Sequence, residues 1–230
     1  MWSVGYCFSF VALLCVLVVC AAAPAAEPAV VYDNSLTPTS GAFAPHGFRN
    51  INALDDPTDP TYPDQPIGDQ VTLAGTERTV VRFDLLLSSS APTTLTDLDL
   101  FFFDYNTTTH IPGPSPLWSS TLHNVAVDGL TRVQFDLPNV TFPDTFVWVV
   151  GADSDIAGLA TFNPPTVGSS ENNYWNWDRS FDYPDSWWRL SLGQDMQANF
   201  GATIYAVPEP ASMAMLAVGG LFMLRGKRHA

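Results

Sequence analysis

Thr131-Arg132-Val133-Gln134-Phe135-Asp136-Leu137 puts an apolar residue at every second position, Val133, Phe135 and Leu137, with Arg132, Gln134 and Asp136 between them. An extended chain points successive side chains to opposite faces, so this stretch has one apolar and one polar side, as a half-buried antiparallel strand requires. Residues 79–85 repeat the device, with Val81, Phe83 and Leu85 alternating against Val80, Arg82 and Asp84. Further strands are expected at 71–73, 95–105, 117–127, 146–152, 159–162, 187–192 and 200–206. Phe146-Val147-Trp148-Val149-Val150 is apolar on both faces, which predicts a central strand covered on both sides. No run of ten residues between 30 and 206 carries a helical stripe. Many short strands joined by turns rich in Pro, Gly, Asn and Asp predict an all-β fold, an antiparallel β-sandwich of jelly-roll type.

Working outward, both ends of the chain differ from this body. Residues 4–23 are almost all apolar and are followed by the small residues Ala21 to Ala26, the layout of a signal peptide cut after Ala25. The segment before the apolar run has no Lys or Arg, and an uncleaved signal helix is the rival reading; either one exports the body of the chain. Cys7, Cys15 and Cys20 all lie in this leader, so no disulfide can staple the body. Leu17-Val18-Val19-Cys20 lacks the small residue that a lipoprotein signal needs before its cysteine. The 184 residues from Glu27 to Pro210 suffice to bury about 70% of the unfolded surface without such staples.

All 23 carboxylates lie between Glu27 and Glu209 against only six arginines, a charge of −17 for the exported part. That field repels phosphate backbones and anionic head groups, which argues against nucleic-acid binding and peripheral lipid binding. Divalent cations are its natural counter-charge.

The chain closes with Val207-Pro208-Glu209-Pro210, an apolar run over 211–224, and Arg225-Gly226-Lys227-Arg228. Prolines cannot extend a ladder and so end the folded body. The apolar run lacks a polar face and, at 14 residues, is shorter than the roughly 20 that cross a bilayer unaided. Local thinning and snorkelling of the basic groups offset the shortfall, with the basic cluster left inside. The order Pro208-Glu209-Pro210, apolar segment, then Arg225, Lys227 and Arg228 resembles the PEP-CTERM protein-sorting signal of Gram-negative and related bacteria. The resemblance implies recognition by an exosortase, removal of the tail, and release or attachment at the surface of cells that often secrete exopolysaccharide. A plain C-terminal anchor would need no Pro-Glu-Pro. The chain thus divides into a signal peptide at 1–25, a β-sandwich ectodomain at 26–206, and a sorting signal with a short transmembrane segment at 207–230, so that hydrophobic helices flank the body.

The body also resembles the β-sandwich ectodomains of PEP-CTERM proteins of planctomycetes and their relatives. The stretches concerned are 68–73, Pro112-Gly113-Pro114 before Leu117-Trp118, and Val167-Gly168-Ser169-Ser170 before Tyr174-Trp175. This likeness brings no known activity.

Two constellations carry candidate chemistry. Asp55, Asp56, Asp59 and Asp64, continuing to Asp69, form a proline-stiffened acidic loop of the kind that can give calcium its six to eight oxygens, although the spacing is not that of an EF-hand. A solvated linker is the plainer reading. Residues 174–188 interleave seven aromatics with Asn, Asp and Arg, the mixture with which clefts stack sugar rings and hold hydroxyls. Trp175, Trp177 and Tyr183 are expected to be exposed for that role, and one of Trp187 and Trp188 to enter the core. His46, His110 and His123 are isolated, and no nucleophile elbow, zinc spacing or phosphate loop occurs. The pattern therefore favours a non-catalytic, adhesive or polysaccharide-associated surface protein. The alternative is a secreted carbohydrate-active enzyme, whose two carboxylates would pair in space rather than in sequence.

Calcium bound by the Asp55 to Asp64 loop would raise the thermal midpoint through mass action. Adding EDTA to the exported protein is then expected to lower the midpoint by several degrees; an unchanged midpoint would remove the site.

Overall fold

The computed structural model describes residues 27–35, 46–47, 66–152, 154, 156–162, 164–178, 186–191 and 199–208. Fourteen strands and no helix occur among them: β1 (Ala29–Asp33), β2 (His46–Gly47), β3 (Ile67–Thr72), β4 (Thr79–Ser89), β5 (Thr93–Asn106), β6 (Ile111–Val127), β7 (Leu130–Thr141), β8 (Thr145–Ala152), β9 (Ala157–Leu159), β10 (Thr161–Phe162), β11 (Ser169–Asp178), β12 (Ser186–Leu190), β13 (Asn199–Phe200) and β14 (Ala202–Val207). Residues 28–207 form one compact unit, and the segments 1–27 and 208–230 fall outside it.

All pairings are antiparallel. In the first sheet β7 runs along one edge of β4, while the other edge takes β14 and then β9; β1 lies outside β14 and β2 outside β9. The second sheet has the order β12-β11-β3-β8-β5-β6. A short β10–β13 pair stands apart from both.

The alternation that predicted the strands also builds the core, with one correction: an irregularity in the ladder between Val80 and Arg82 turns Val80 inward in place of Val81. Phe83, Leu85 and Leu87 of β4 and Val133, Phe135 and Leu137 of β7 share one buried cluster with Leu98, Leu100 and Phe102 of β5 and Phe146, Trp148 and Val150 of β8. Rings meet across the gap between the sheets: Phe83 lies 5.3 Å from Phe102 and 5.3 Å from Trp148, both edge-on. The doubly apolar run at 146–150 is, as expected, an inner strand, between β3 and β5. Its other side chains, Val147 and Val149, enter a second cluster on the opposite face of the second sheet.

Polar faces are managed differently on the first sheet. Asp84, almost fully buried, accepts from Arg82 Nε and Nη2 at 2.6 Å each and from Arg132 Nη1 at 3.1 Å. The Arg82 guanidinium also lies 4.8 Å from the centre of the Tyr205 ring, and its hydrogen bonds to Asp84 raise its pKa further. At the β6–β7 hairpin, Gly129 adopts φ 58°, a left-handed turn conformation that a Cβ would strain.

Strands β1, β2 and β11 are absent from the expected set, and residues 174–178 and 186–188 of the aromatic stretch lie in β11 and β12, which pair with each other. Asn172, Asn173 and Asn176 interrupt the apolar alternation of β11, and β1 is only five residues long. The expected flanking helices, at 1–25 and beyond Pro208, lie outside the described residues.

Phe83 touches both sheets, so shortening it should open a cavity at their centre. Phe83→Ala is expected to cost about 3–5 kcal/mol in a urea titration, whereas a loss below about 1 kcal/mol would show that the contact between the sheets is not what holds them.

Candidate functional site

The second sheet carries an aromatic layer on its outward face. Along β5 the apolar residues that do not enter the shared core are Phe101, Phe103 and Tyr105; β8 adds Val147 and Val149; β11 adds Trp175 and Trp177; and β12 adds Trp187. Trp177 stacks on Trp187 at 5.8 Å and 14°, and Phe103 meets both rings edge-on at 4.8 and 4.7 Å. Register explains the grouping. Trp177 pairs with Trp187 across the hairpin, and Trp175 pairs with Gly68, which has no side chain to hold it off the sheet.

This placement corrects one expectation. Trp175 and Trp177 are 3% and 6% exposed, because two residues apart on one strand they face the same neighbouring rings. The exposed indole is instead Trp188, at 49%, on the edge strand β12. Trp187 is the member of the pair that packs, against the outward layer rather than the shared core. Tyr183 lies outside the described residues, as do Asp55, Asp56, Asp59 and Asp64. Beside Trp188, Arg189 pairs with Glu171 across the hairpin. On the exposed part of β5 and β6, Asp97 pairs with His123 at 2.6 Å and Asp99 accepts from Thr121.

No group of three or more potential metal ligands occurs among the described residues. A shallow cleft of about 470 Å³, lined by residues 92–94, 126–128 and Thr131, holds one carboxylate, Asp128, and no aromatic ring.

Sequence reasoning missed Asp69 as anything but the end of the acidic loop. It sits inside β3, opposite Trp148 on one side and Tyr174 on the other, and is fully buried. Ile67 and Val71, two residues either way, both enter the shared core, so Asp69 stands on the core face. That alternation was the available signal. Among the described residues neither carboxylate oxygen has a partner in hydrogen-bonding geometry, and the same holds for the Tyr32 hydroxyl and the Trp148 indole nitrogen. Burial pushes the Asp69 carboxyl well above the usual range, while the Phe200 and Gln70 amides and the Ser170 hydroxyl, which face it, pull the other way. Burial, and after it the charge of Asp69, likewise raise the Tyr32 phenol.

The last strand leads to the C-terminal segment. β14 is paired on both sides, to β1 and to β4, and its ladder ends with Val207 opposite Thr79. Pro208 comes next and has no amide to continue it. The family model of the PEP-CTERM protein-sorting motif matches residues 206–228. The chain carries a PEP-CTERM sorting signal.

No curated protein and no solved structure matches the chain. The sorting signal implies export and processing by an exosortase, with transient association with the membrane before the tail is removed. It begins at the last two residues of β14, so a cut beyond Pro208 leaves every described ladder pair of the body intact. Glu209, Pro210, Arg225, Lys227 and Arg228 belong to the matched segment but lie outside the described residues. Among the described residues no helix is long and apolar enough to cross a membrane.

Because the folded state holds the Asp69 proton more tightly than the unfolded state, the stability linked to this group is full below the ordinary carboxylate pKa of about 4 and is lost as pH rises toward the raised value. Between about pH 4 and about pH 7 the melting midpoint should therefore fall more in the native protein than in Asp69→Asn. Parallel profiles would show that Asp69 does not retain its proton on folding.

Proposed function

We propose that this protein is a non-catalytic surface or extracellular-matrix component, an antiparallel β-sandwich of jelly-roll type that the sorting signal delivers outside the cell and that associates with polysaccharide. Its strand order supports the fold. Eight of the strands, β1, β3, β4, β5, β6, β7, β8 and β14, distribute as β1-β14-β4-β7 and β3-β8-β5-β6, the arrangement in which two Greek keys interleave. The β11–β12 hairpin is then an addition outside β3.

The observation that carries the binding role is Trp188, half exposed on the outermost strand of that hairpin, on the strand face opposite to that of Trp187 and Arg189. An indole exposed on a strand whose other face is packed into an aromatic layer is suited to stacking on a sugar face. The acidic surface favours neutral or cation-bridged polysaccharide over nucleic acid, and calcium at Asp55, Asp56, Asp59 and Asp64 belongs to the same reading. Final residence at the cell surface or in the matrix follows from removal of the tail.

Titration with exopolysaccharide from the producing cells, followed by tryptophan fluorescence and by an assay for new reducing ends, tests this reading. Binding is expected to weaken about tenfold in Trp188→Ala, equivalent to about 1.4 kcal/mol of stacking, with no reducing ends released. Equal binding by the variant, or no binding at all, would overturn it. Release of reducing ends would favour a carbohydrate-active enzyme on the same scaffold.

A further inference from the structure

The exported body contains no cysteine, so any covalent staple in it must use other chemistry. One cluster brings the reactants for such a staple together. Ser170, at the start of β11, donates its hydroxyl to the side-chain Oδ1 of Asn199 on β13. The two residues are 29 apart in the chain. The hydroxyl also faces the buried Asp69 carboxyl and the Tyr32 phenol.

The surroundings hold the pair in place, with Ser170 part-buried. Asn199 is buried and sits in the β10–β13 ladder opposite Phe162. The next residue is clamped, because Asn34 Nδ2 donates to the Phe200 carbonyl at 3.0 Å. The Phe200 ring lies 6.0 Å from Tyr174 and 6.3 Å from Trp148. Gly168, at φ 74°, lets the chain entering β11 approach Tyr32 and Thr72 more closely than any Cβ would allow.

We propose that Ser170 and Asn199 become joined by an intramolecular ester, formed without an external enzyme, with Asp69 relaying the proton. Ser170 Oγ attacks Cγ of the Asn199 carboxamide, the Oγ–Cγ bond forms, and the Cγ–N bond breaks. Asp69 in its neutral form gives its proton to the departing nitrogen and recovers one from the serine hydroxyl. The products are one ester and one ammonia; Asp69 ends unchanged, and nothing is oxidised or reduced. Holding hydroxyl and carboxamide in contact supplies the effective concentration that a poor nucleophile and a poor electrophile need. The raised proton affinity of the buried carboxyl keeps it in the form that the relay uses. Such a bond closes a loop around the β11–β12 hairpin and ties β11 of the second sheet to β13.

Mass spectrometry of the full chain tests this without any variant. Arg179 and Arg189 lie between the two residues, so trypsin separates them into different peptides unless they are bonded. The expected result is one branched species joining the peptide that contains Ser170 to the peptide that contains Asn199, lighter by one ammonia than their sum. Mild alkali should split it, leaving an aspartyl residue at position 199. Asp69→Asn and Ser170→Ala should both show the calculated, unlinked masses. Two separate peptides of calculated mass from the native protein would overturn the proposal. So would loss of ammonia confined to the Asn199 peptide, which marks a cyclic imide, and so would linkage in Asp69→Asn at the native extent.

Discussion

The fold depends on Phe83. It is the ring at which the two sheets meet, edge-on to Phe102 and to Trp148, with Phe135 of its own sheet 6.4 Å away. With no disulfide in the body, water exclusion at this contact is what holds one sheet to the other. Everything inward-facing on β4, β5, β7 and β8 is committed to it, because the period of two in each strand leaves no freedom to move a side chain to the other face without slipping the whole register. The outward faces carry no such obligation, and the two sheets treat them differently. The first uses charge: Asp84 is shared by Arg82 and Arg132, and Arg82 leans on Tyr205. The second uses aromatic rings, which cover one another from Phe101 across to Trp187.

That difference bears on function. An outward aromatic layer on an already complete two-sheet body adds nothing to the contact between the sheets. Its effect is to fix the β11–β12 hairpin against the second sheet, since Trp175 and Trp177 of β11 and Trp187 of β12 are anchored to Phe103 or Tyr105 of β5. Trp188, the widely exposed ring among the hairpin's described residues, is therefore presented from a rigid edge. Rigidity at a binding edge lowers the ordering cost of association.

Most of the fold was legible because alternation is a local property. Residues 131–137 declare their buried face within seven residues, and 79–85 do so from Phe83 onward, the irregularity after Val80 being invisible to a strict period of two; both became long strands of one sheet. The doubly apolar 146–150 run declared an inner position in the same way. The candidate site was less legible because it depends on partners distant in sequence. Nothing within residues 174–188 says that Phe103, Val147 and Val149 will stand opposite, so the rings of Trp175 and Trp177, which suit sugar stacking, are instead absorbed into packing. Asp69 was hidden by composition: Asp55, Asp56, Asp59 and Asp64 precede it within the acidic run, and only the flanking Ile67 and Val71 mark it as facing inward. The sorting signal was fully legible, since its three parts are contiguous and their order is the message.

Burying an uncompensated carboxylate in a core otherwise made of aromatic and aliphatic groups costs several kcal/mol in its charged form, and packing alone would favour an apolar residue at position 69. The location of the cluster gives a reason to retain it. The tail that tethers the chain during sorting continues directly from β14, and only Gly201 separates β14 from β13. A load applied at the C-terminus enters through Val207, passes along β14 and reaches Asn199 within nine residues. Hydrogen bonds to β1 and β4 resist it on the first sheet alone. A bond from Asn199 to Ser170 would carry the same load into the second sheet. The polar cluster and the sorting signal are thus mechanically consecutive, although one is buried in the core and the other lies beyond its last strand.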